Sequence, residues 1–510
     1  MVANSIVDNK KIAQNTLFLY LRMGIMMLTS LFTARIVLNI LGAADFGIYN
    51  VIGGIVVLFS FLNGALSTAT QRYLNYYLGR NELEHTRNIF CMSVNIYLIL
   101  SLVLFVLAET IGLYFLETQL NIPSDRIQAA HYVYQFVILT FLVDLIRIPY
   151  NASIIAYEKM GFYAYVSLSE VILKLIVVYL LYIIPYDKLV VYSFLYTVIP
   201  ILITIIYIRY CNKKFAITRY SWFWNKQVFK DLCGFSGWSL FGSFANLSAQ
   251  QGLNFLINIF YGVTVNAAVG IANQVVGTVY QFVSNFQTAF NPQIVKTYAS
   301  GQFNNFNILI CQTSKFSYYL ILLFVLPLFL VMDEILAIWL VDVPEYTAIF
   351  CRLILLFFVI DAINAPLWIS VQATGKIRGY QMLMAFLILL NFPLAYWALK
   401  EGFPVYCVWI VRIGINLITF IARCGYMKLR MNFPLLKFMK ETLFPIVLVT
   451  LLAIPLPVFC SIIIDGFYLN LIGTIVISFI SVIIAIYTWG LKEKEKLFII
   501  DMIRDKMCRH

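Results

Sequence analysis

About fourteen stretches of this sequence are apolar and long enough to cross a hydrocarbon layer of roughly 30 Å as helices. Inside such a layer no water reaches the backbone, so every amide must find its partner within the protein, and only helices or closed barrels can span it. Barrel strands would alternate over segments of about ten residues. The runs here are continuous, which predicts helices at about 15–40, 46–75, 86–116, 127–155, 160–183, 187–210, 231–260, 267–297, 307–332, 346–373, 378–399, 403–428, 441–464 and 468–491. With 62% of 510 residues hydrophobic and only 12% charged, a soluble domain is excluded. The predicted class is an all-α polytopic membrane protein with about 14 transmembrane helices. Lys10 and Lys11 precede an apolar run too long for a signal peptide and lacking a small-residue cleavage site, so no cleaved leader is expected.

The net charge of +12 would suit a nucleic-acid binder, but its distribution does not. Threaded through these spans, Lys10, Lys11, Arg80, Arg87, Lys159, Arg209, Lys213, Lys214, Arg219, Lys376, Arg378, Arg423, Lys428, Arg430 and the tail fall on one side. The opposite side carries Arg126, Lys188 and Lys400, with Asp333, Glu334, Asp342 and Glu345 in its longest stretch. By the positive-inside rule both termini are expected in the cytoplasm, and no nucleic acid is expected as a partner. The nine cysteines lie mostly in apolar runs without CxxC spacing and the three histidines are scattered, so no metal site is indicated.

An internal repeat organises the chain. Asp144, Arg147 and Pro149 recur about 217 positions later as Asp361, Asn364 and Pro366, each set late in a long apolar run. The match continues to Lys159 with Lys376 and Tyr163 with Tyr380, and the ends of the second and eighth spans correspond as well. The predicted domains are a six-helix bundle over 1–210, a basic linker at 211–230, a second six-helix bundle over 231–430, two additional helices over 431–491 and a tail at 492–510. An even number of helices per copy makes the repeats parallel, related by an axis along the membrane normal. Each proline is expected to break its helix and free a carbonyl. The linker, with Trp222, Phe223 and Trp224 among lysines, reads either as an interfacial helix or as an ordinary loop with aromatic anchors.

Polarity inside the spans marks candidate sites. Asn246, Gln250, Gln251, Asn254 and Asn258 share a face of the seventh span, and Asn273, Gln274, Gln281, Asn285, Gln287 and Asn291 spread over several faces of the eighth. Isolated amides glue helices together, whereas this number argues for a wet cavity. Such amides, with Tyr280, Phe282 and Phe286, are also the groups that hold sugar hydroxyls and sugar faces. Glu109, Asp144, Glu170 and Asp361 are the acids within spans. Glu170 can pair with Lys174 and Asp144 with Arg147, each one turn away. Asp361 has no cation on its own turn, so it reads either as the foremost candidate for a coupling ion, with Asp144 as the second, or as half of a cross-helix structural pair. Arg22 reads either as an interfacial anchor or as a functional cation, while Arg35 snorkels to the outer interface. No GxxxxGK, GxSxG or HExxH is present, so neither an enzyme nor a cofactor is expected.

The twofold repeat, the two extra helices, and the run Ala34 to Gly42 leading into Asp45, Phe46, Gly47, Ile48 and Tyr49 resemble the polysaccharide transport branch of the multidrug/oligosaccharidyl-lipid/polysaccharide exporter superfamily. More narrowly, the chain is similar to bacterial Wzx-type O-antigen and oligosaccharide flippases. The resemblance implies two bundles in a V around a central cavity in the inner membrane, and transfer of an undecaprenyl pyrophosphate-linked glycan between leaflets. Arg22, Arg72 and Arg147 are then the candidates for the pyrophosphate, because guanidinium forks match phosphate oxygens. Asn254, Asn258, Asn273, Gln274, Gln281 and Asn285 are the candidates for sugars. A proton or sodium gradient is the candidate energy source. Membrane lipids, a polysaccharide polymerase and a chain-length regulator are the implied partners. Rival readings are an ion-coupled multidrug antiporter of the same superfamily and a lipid II flippase. A membrane scaffold or glycosyltransferase subunit would not need polar groups at matching positions of two repeats.

Overall fold

The structure is a computed structural model that describes residues 60–118, 123–340, 343–464, 466–493 and 495–496, together with scattered positions between 18 and 53. Arg35 and most of the first predicted span lie outside the described residues. Among the described residues every regular element is helical. Ten helices among the described residues are long and apolar enough to cross a membrane, from Leu83–Thr118 to Phe467–Gly490. Beyond these, Ser60–Gly79 belongs to the second predicted span, and the more polar Lys226–Ala299 covers the seventh and eighth. The protein is an all-α, multi-pass membrane protein.

The seventh and eighth spans join because the only non-helical residue inside Lys226–Ala299 is Gly262, at φ 80° and ψ −173°. That conformation is open to glycine and closed to residues with a Cβ, so the chain turns there without a loop. Gly112 serves another purpose. It lies in a π-helical turn, Ala108–Gly112, where the Tyr134 hydroxyl donates to the Ala108 carbonyl at 2.6 Å. A Cβ on Gly112 would collide with that hydroxyl.

The chain forms two compact units, divided between Leu240 and Phe241. In the first, Ile127–Ala156 is the hub, packing on Lys188–Lys214, Ser60–Gly79 and Leu83–Leu107. Its core includes Leu74, Phe90, Tyr150, Ile154 and Ile203. In the second, Thr347–Ala373 is the hub, packing on Phe303–Leu330 and Cys407–Met431 around Ile321, Phe350, Leu355 and Trp409. The repeated acid and proline therefore sit on the central helix of each unit. Neither helix is broken: Ile127–Ala156 runs through Pro149 and Thr347–Ala373 through Pro366. The proline removes one hydrogen bond, and surrounding packing holds the rest of the helix.

The last two helices, Leu435–Ile463 and Phe467–Gly490, pack on each other and on Phe303–Leu330. Tyr318 Oη lies 2.7 Å from Thr450 Oγ1, and Tyr319 donates to the Gly490 carbonyl at 3.2 Å. The linker is not an interfacial helix. It makes one short turn, Ala216–Thr218, and then runs extended, because Asn95 ties it down: Asn95 Nδ2 donates to the Phe223 carbonyl at 2.7 Å and Tyr220 donates to Asn95 Oδ1 at 2.8 Å.

One end of the first unit is held by Arg126, which binds Asp45 through its Nη2 and Asp187 at 2.5 Å through its Nη1. Asp187 also caps Lys188–Lys214, accepting from the Leu189 and Val190 amides at 3.0 and 3.2 Å. Partial burial raises its pKa, but the Arg126 hydrogen bond and the two amides outweigh it, leaving the carboxyl below its usual range. A depressed carboxyl stabilises the fold above its unfolded pKa and loses that contribution as pH falls through the folded value. Asp187→Ala should therefore cost about 1 kcal/mol at neutral pH. The gap to the natural chain in thermal unfolding should narrow as pH drops below about 4. A gap that widens in acid would contradict this account.

Candidate functional site

Each hub helix carries a charged cluster inside its own unit. In the first, Arg147 Nη2 lies 2.8 Å from Asp144 Oδ1, an ion pair without hydrogen-bond alignment. Arg147 Nη1 reaches Glu170 Oε2 at 3.5 Å, and Lys174 donates to Glu170 Oε1 at 2.7 Å. Glu170 is thus shared by two cations from neighbouring helices. Arg22 stands over the Tyr163 ring at 4.4 Å and acts electrostatically on Glu170. Its Nε is buried with no hydrogen-bond partner among the described residues. Tyr207 lies 5.9 Å beneath Arg147, and Tyr196 lies 5.0 Å from Lys174. Arg22, Arg147 and Lys174 outnumber Asp144 and Glu170 here. The cluster is cationic, aromatic-walled and partly open.

In the second unit Asp361 Oδ2 accepts a 2.7 Å hydrogen bond from Tyr280, whose ring stacks on Phe358 at 4.3 Å. Arg412 and Arg423 act on Asp361 electrostatically. Arg423 donates to the Tyr380 hydroxyl at 2.6 Å and to the Asn364 carbonyl at 2.8 Å. Arg412 lies over Phe357 and Trp409, at 4.6 and 5.0 Å. Asp361 lacks a cation on its own turn, and another helix of its unit, Cys407–Met431, supplies two. Here too cations outnumber the acid.

The proline of the second hub leaves the Ala362 carbonyl without a backbone donor. Gln287 Nε2 supplies one at 3.1 Å and also reaches Ser317 Oγ at 3.2 Å. The next two carbonyls are held as well, Ile363 by Ser314 at 3.3 Å and Asn364 by Arg423. Gln287 is therefore a structural amide. Asn364, standing where the first unit has Arg147, donates to Asn416 at 3.1 Å.

Of the three arginines expected to serve one ligand, the structure brings Arg22 and Arg147 together and gives Arg72 other neighbours. Arg72 is buried against Tyr73 and Tyr76, at 4.4 and 4.8 Å, and against Phe235. Asn254, Asn258, Asn273 and Asn285 are half-buried, and Gln274 and Gln281 are exposed. The part of Lys226–Ala299 beyond Gly262 is continuous helix, so Gln274, Thr278, Gln281, Asn285 and Thr288 follow one face at steps of three and four, a stripe that their sequence spacing already holds. Asn254 contacts Gln251 at 3.4 Å. Sequence reasoning overlooked Arg412 inside its twelfth span, set Arg423 among loop charges and omitted Lys315.

Residues 12–298 match the profile of the family described as polysaccharide biosynthesis protein. The chain belongs to that family. Solved structures with the same fold include MATE proteins and a further transporter of the MOP superfamily. A MATE point mutant has a TM-score of 0.72 at 14% identity, over 84% of this chain and 97% of its own. An outward-facing multidrug resistance MATE family transporter has a TM-score of 0.69 at 12% identity, over 83% and 96%. A MOP superfamily transporter from Pyrococcus furiosus, described by a reversed polarity of its binding pocket, has a TM-score of 0.69 at 12% identity, over 84% and 96%. No curated protein matches the sequence. Family and fold together make this chain a multi-pass membrane protein of the polysaccharide biosynthesis family, with the fold that these transporters share.

The proline and Gln287 form a testable pair. Gln287→Leu should cost about 1–3 kcal/mol by leaving a buried carbonyl without a donor. In a Pro366→Ala background, where residue 366 regains its amide, the same change should cost much less. Equal losses in both backgrounds, measured by thermal unfolding, would disconnect Gln287 from the freed carbonyl.

Proposed function

We propose that the protein is a flippase for a lipid-linked oligosaccharide, moving an undecaprenyl pyrophosphate-linked repeat unit from the inner to the outer leaflet of a bacterial cytoplasmic membrane by alternating access. The observation that carries this reading is the surplus of cations over acids in both membrane-embedded clusters. A pyrophosphate needs fixed positive charge, and the guanidinium forks of Arg147 and Arg22 are donors of the kind that match its oxygens. A carrier of hydrophobic cations would be better served by the opposite balance, so the antiporter reading is not favoured. Arg72 remains a candidate further along the path of the anionic group.

The sugars would meet the stripe of Gln274, Gln281 and Asn285, with Asn273, Asn254 and Asn258 on the neighbouring surface of the same long helix. Tyr163, Tyr196 and Tyr207 give flat apolar faces beside the cations. Glu170 and Asp144 neutralise the arginine and lysine until a phosphate replaces them.

Coupling to a proton or sodium gradient is assigned to Asp361, with Asp144 as its counterpart. Protonation of Asp361 would release it from Arg412 and Arg423, altering the contacts between helices of its unit. Membrane lipids surround the helices in this reading. A polymerase and a chain-length regulator would act on the delivered product.

In vesicles loaded with labelled lipid-linked oligosaccharide, Arg147→Ala should slow translocation roughly ten- to hundredfold, the cost of a lost charge-assisted contact. Unchanged transport would remove Arg147 from the site. Asp361→Asn should abolish the response of transport to an imposed gradient. A variant that keeps its full gradient dependence would exclude Asp361 as the coupling group.

A further inference from the structure

The tail end of the second unit contains a buried lysine that transport by the hub helices does not use. Lys315, on Phe303–Leu330, is 2% exposed and lies 2.7 Å from Glu495, itself 10% exposed. An ammonium this deep needs an anion. The chain supplies it from its last described turn. Glu495 Oε2 accepts from Lys315 Nζ and from the Lys492 amide at 2.9 Å, while Oε1 accepts from Gln312 Nε2 at 3.4 Å.

These donors border a cavity of about 410 Å³ whose charged lining is Lys315, Lys437, Lys492, Glu441, Glu493 and Glu495, so that removing Glu495 leaves the lysines in excess. Lys492 is paired with Glu441 at 2.8 Å. Lys437 is exposed at the rim and acts electrostatically on Glu441. A buried ion pair adds little net stability compared with apolar packing, so stability alone is a poor reason to keep Lys315. The partners differ in kind: the lysine sits on a membrane helix, and the carboxylate on the short turn that follows Phe467–Gly490.

We infer that the cavity at Lys315 is a phosphate-accepting site, occupied here by the chain's own Glu495, which an anionic phosphate group displaces. Ammonium, amide and backbone N–H are the donors that hold phosphate oxygens as readily as a carboxylate. The Lys437 rim supplies the further charge a phosphate carries. A lipid headgroup and free phosphate present the same chemistry, and the site lies where a helix end meets the tail. The inference stands apart from the flippase reading and survives its failure.

Native mass spectrometry of the full chain in detergent, with dioleoylphosphatidylglycerol added, provides the first test. Glu495→Gln keeps side-chain size and removes the internal competitor. It should retain one phosphatidylglycerol per chain with about tenfold higher affinity than the natural chain, the occupancy penalty of the tail being lifted. Adding Lys315→Gln should erase that gain. Equal retention by the natural chain and Glu495→Gln, or a gain that persists without Lys315, overturns the proposal. A second readout needs no variant: phosphatidylglycerol should speed trypsin cleavage after Lys492 and Lys496 several-fold, and dioleoylglycerol, which lacks the phosphate, should not. Equal acceleration by inorganic phosphate assigns the site to free phosphate. Acceleration by the lipid alone assigns it to a headgroup. No acceleration by either overturns the site.

Discussion

A carbonyl freed inside a membrane must be answered by another helix, and the second unit is built around that demand. Pro366 removes the amide that would bond the Ala362 carbonyl, and Gln287 replaces it. Ser314 and Arg423 hold the next two carbonyls, so donors from three neighbouring helices converge on one turn. These contacts are directional, unlike apolar packing against lipid-like neighbours, and they fix the rotation of each helix about its axis. The positions of Asp361, Tyr280 and Arg423 follow from that rotation.

The same sequence pattern gives the first unit a different solution. Asp144 and Arg147 pair on one turn, and Glu170 joins Arg147 to Lys174 on the next helix. Both acids are paired locally there, within about two turns of two helices, and Arg22 adds the surplus cation. In the second unit Asn364 replaces the arginine, and the cations come from Cys407–Met431. One sequence pattern thus underlies a compact ionic cluster in one unit and a helix-bridging network in the other.

Most of the helical architecture could be read in the sequence because apolar length is a direct consequence of membrane thickness. The hubs were legible through Asp144, Pro149, Asp361 and Pro366. Helix continuity through those prolines was not, because surrounding donors decide whether a freed carbonyl is tolerated, and Gln287 lies about 75 positions from Ala362. The pairs one turn apart, Asp144 with Arg147 and Glu170 with Lys174, could be written down from spacing alone. Arg412 and Arg423 could not be matched to Asp361, since a contact between helices leaves no fixed spacing. Lys315 escaped for the same reason: its partner Glu495 is 180 positions away, in a tail that reads as solvated charge. The linker was ambiguous because Asn95, which decides its path, looks like any buried amide until Tyr220 and Phe223 are placed against it.

Cations buried in a membrane helix are costly unless paired, yet a cation paired too well binds nothing else. The first cluster meets both conditions by sharing acids. Glu170 serves Arg147 at 3.5 Å and Lys174 at 2.7 Å, so its loosest contact is with the arginine. Asp144 meets Arg147 without hydrogen-bond alignment, leaving the guanidinium donors incompletely used. Arg22 adds charge without adding an acid. On the proposed function, a pyrophosphate entering the cluster has more to offer Arg147 than either carboxylate does, and the displaced Glu170 keeps Lys174. Loading then exchanges one anion for another rather than stripping a charge bare, which keeps the cost of each step within reach of thermal motion or a modest ion gradient.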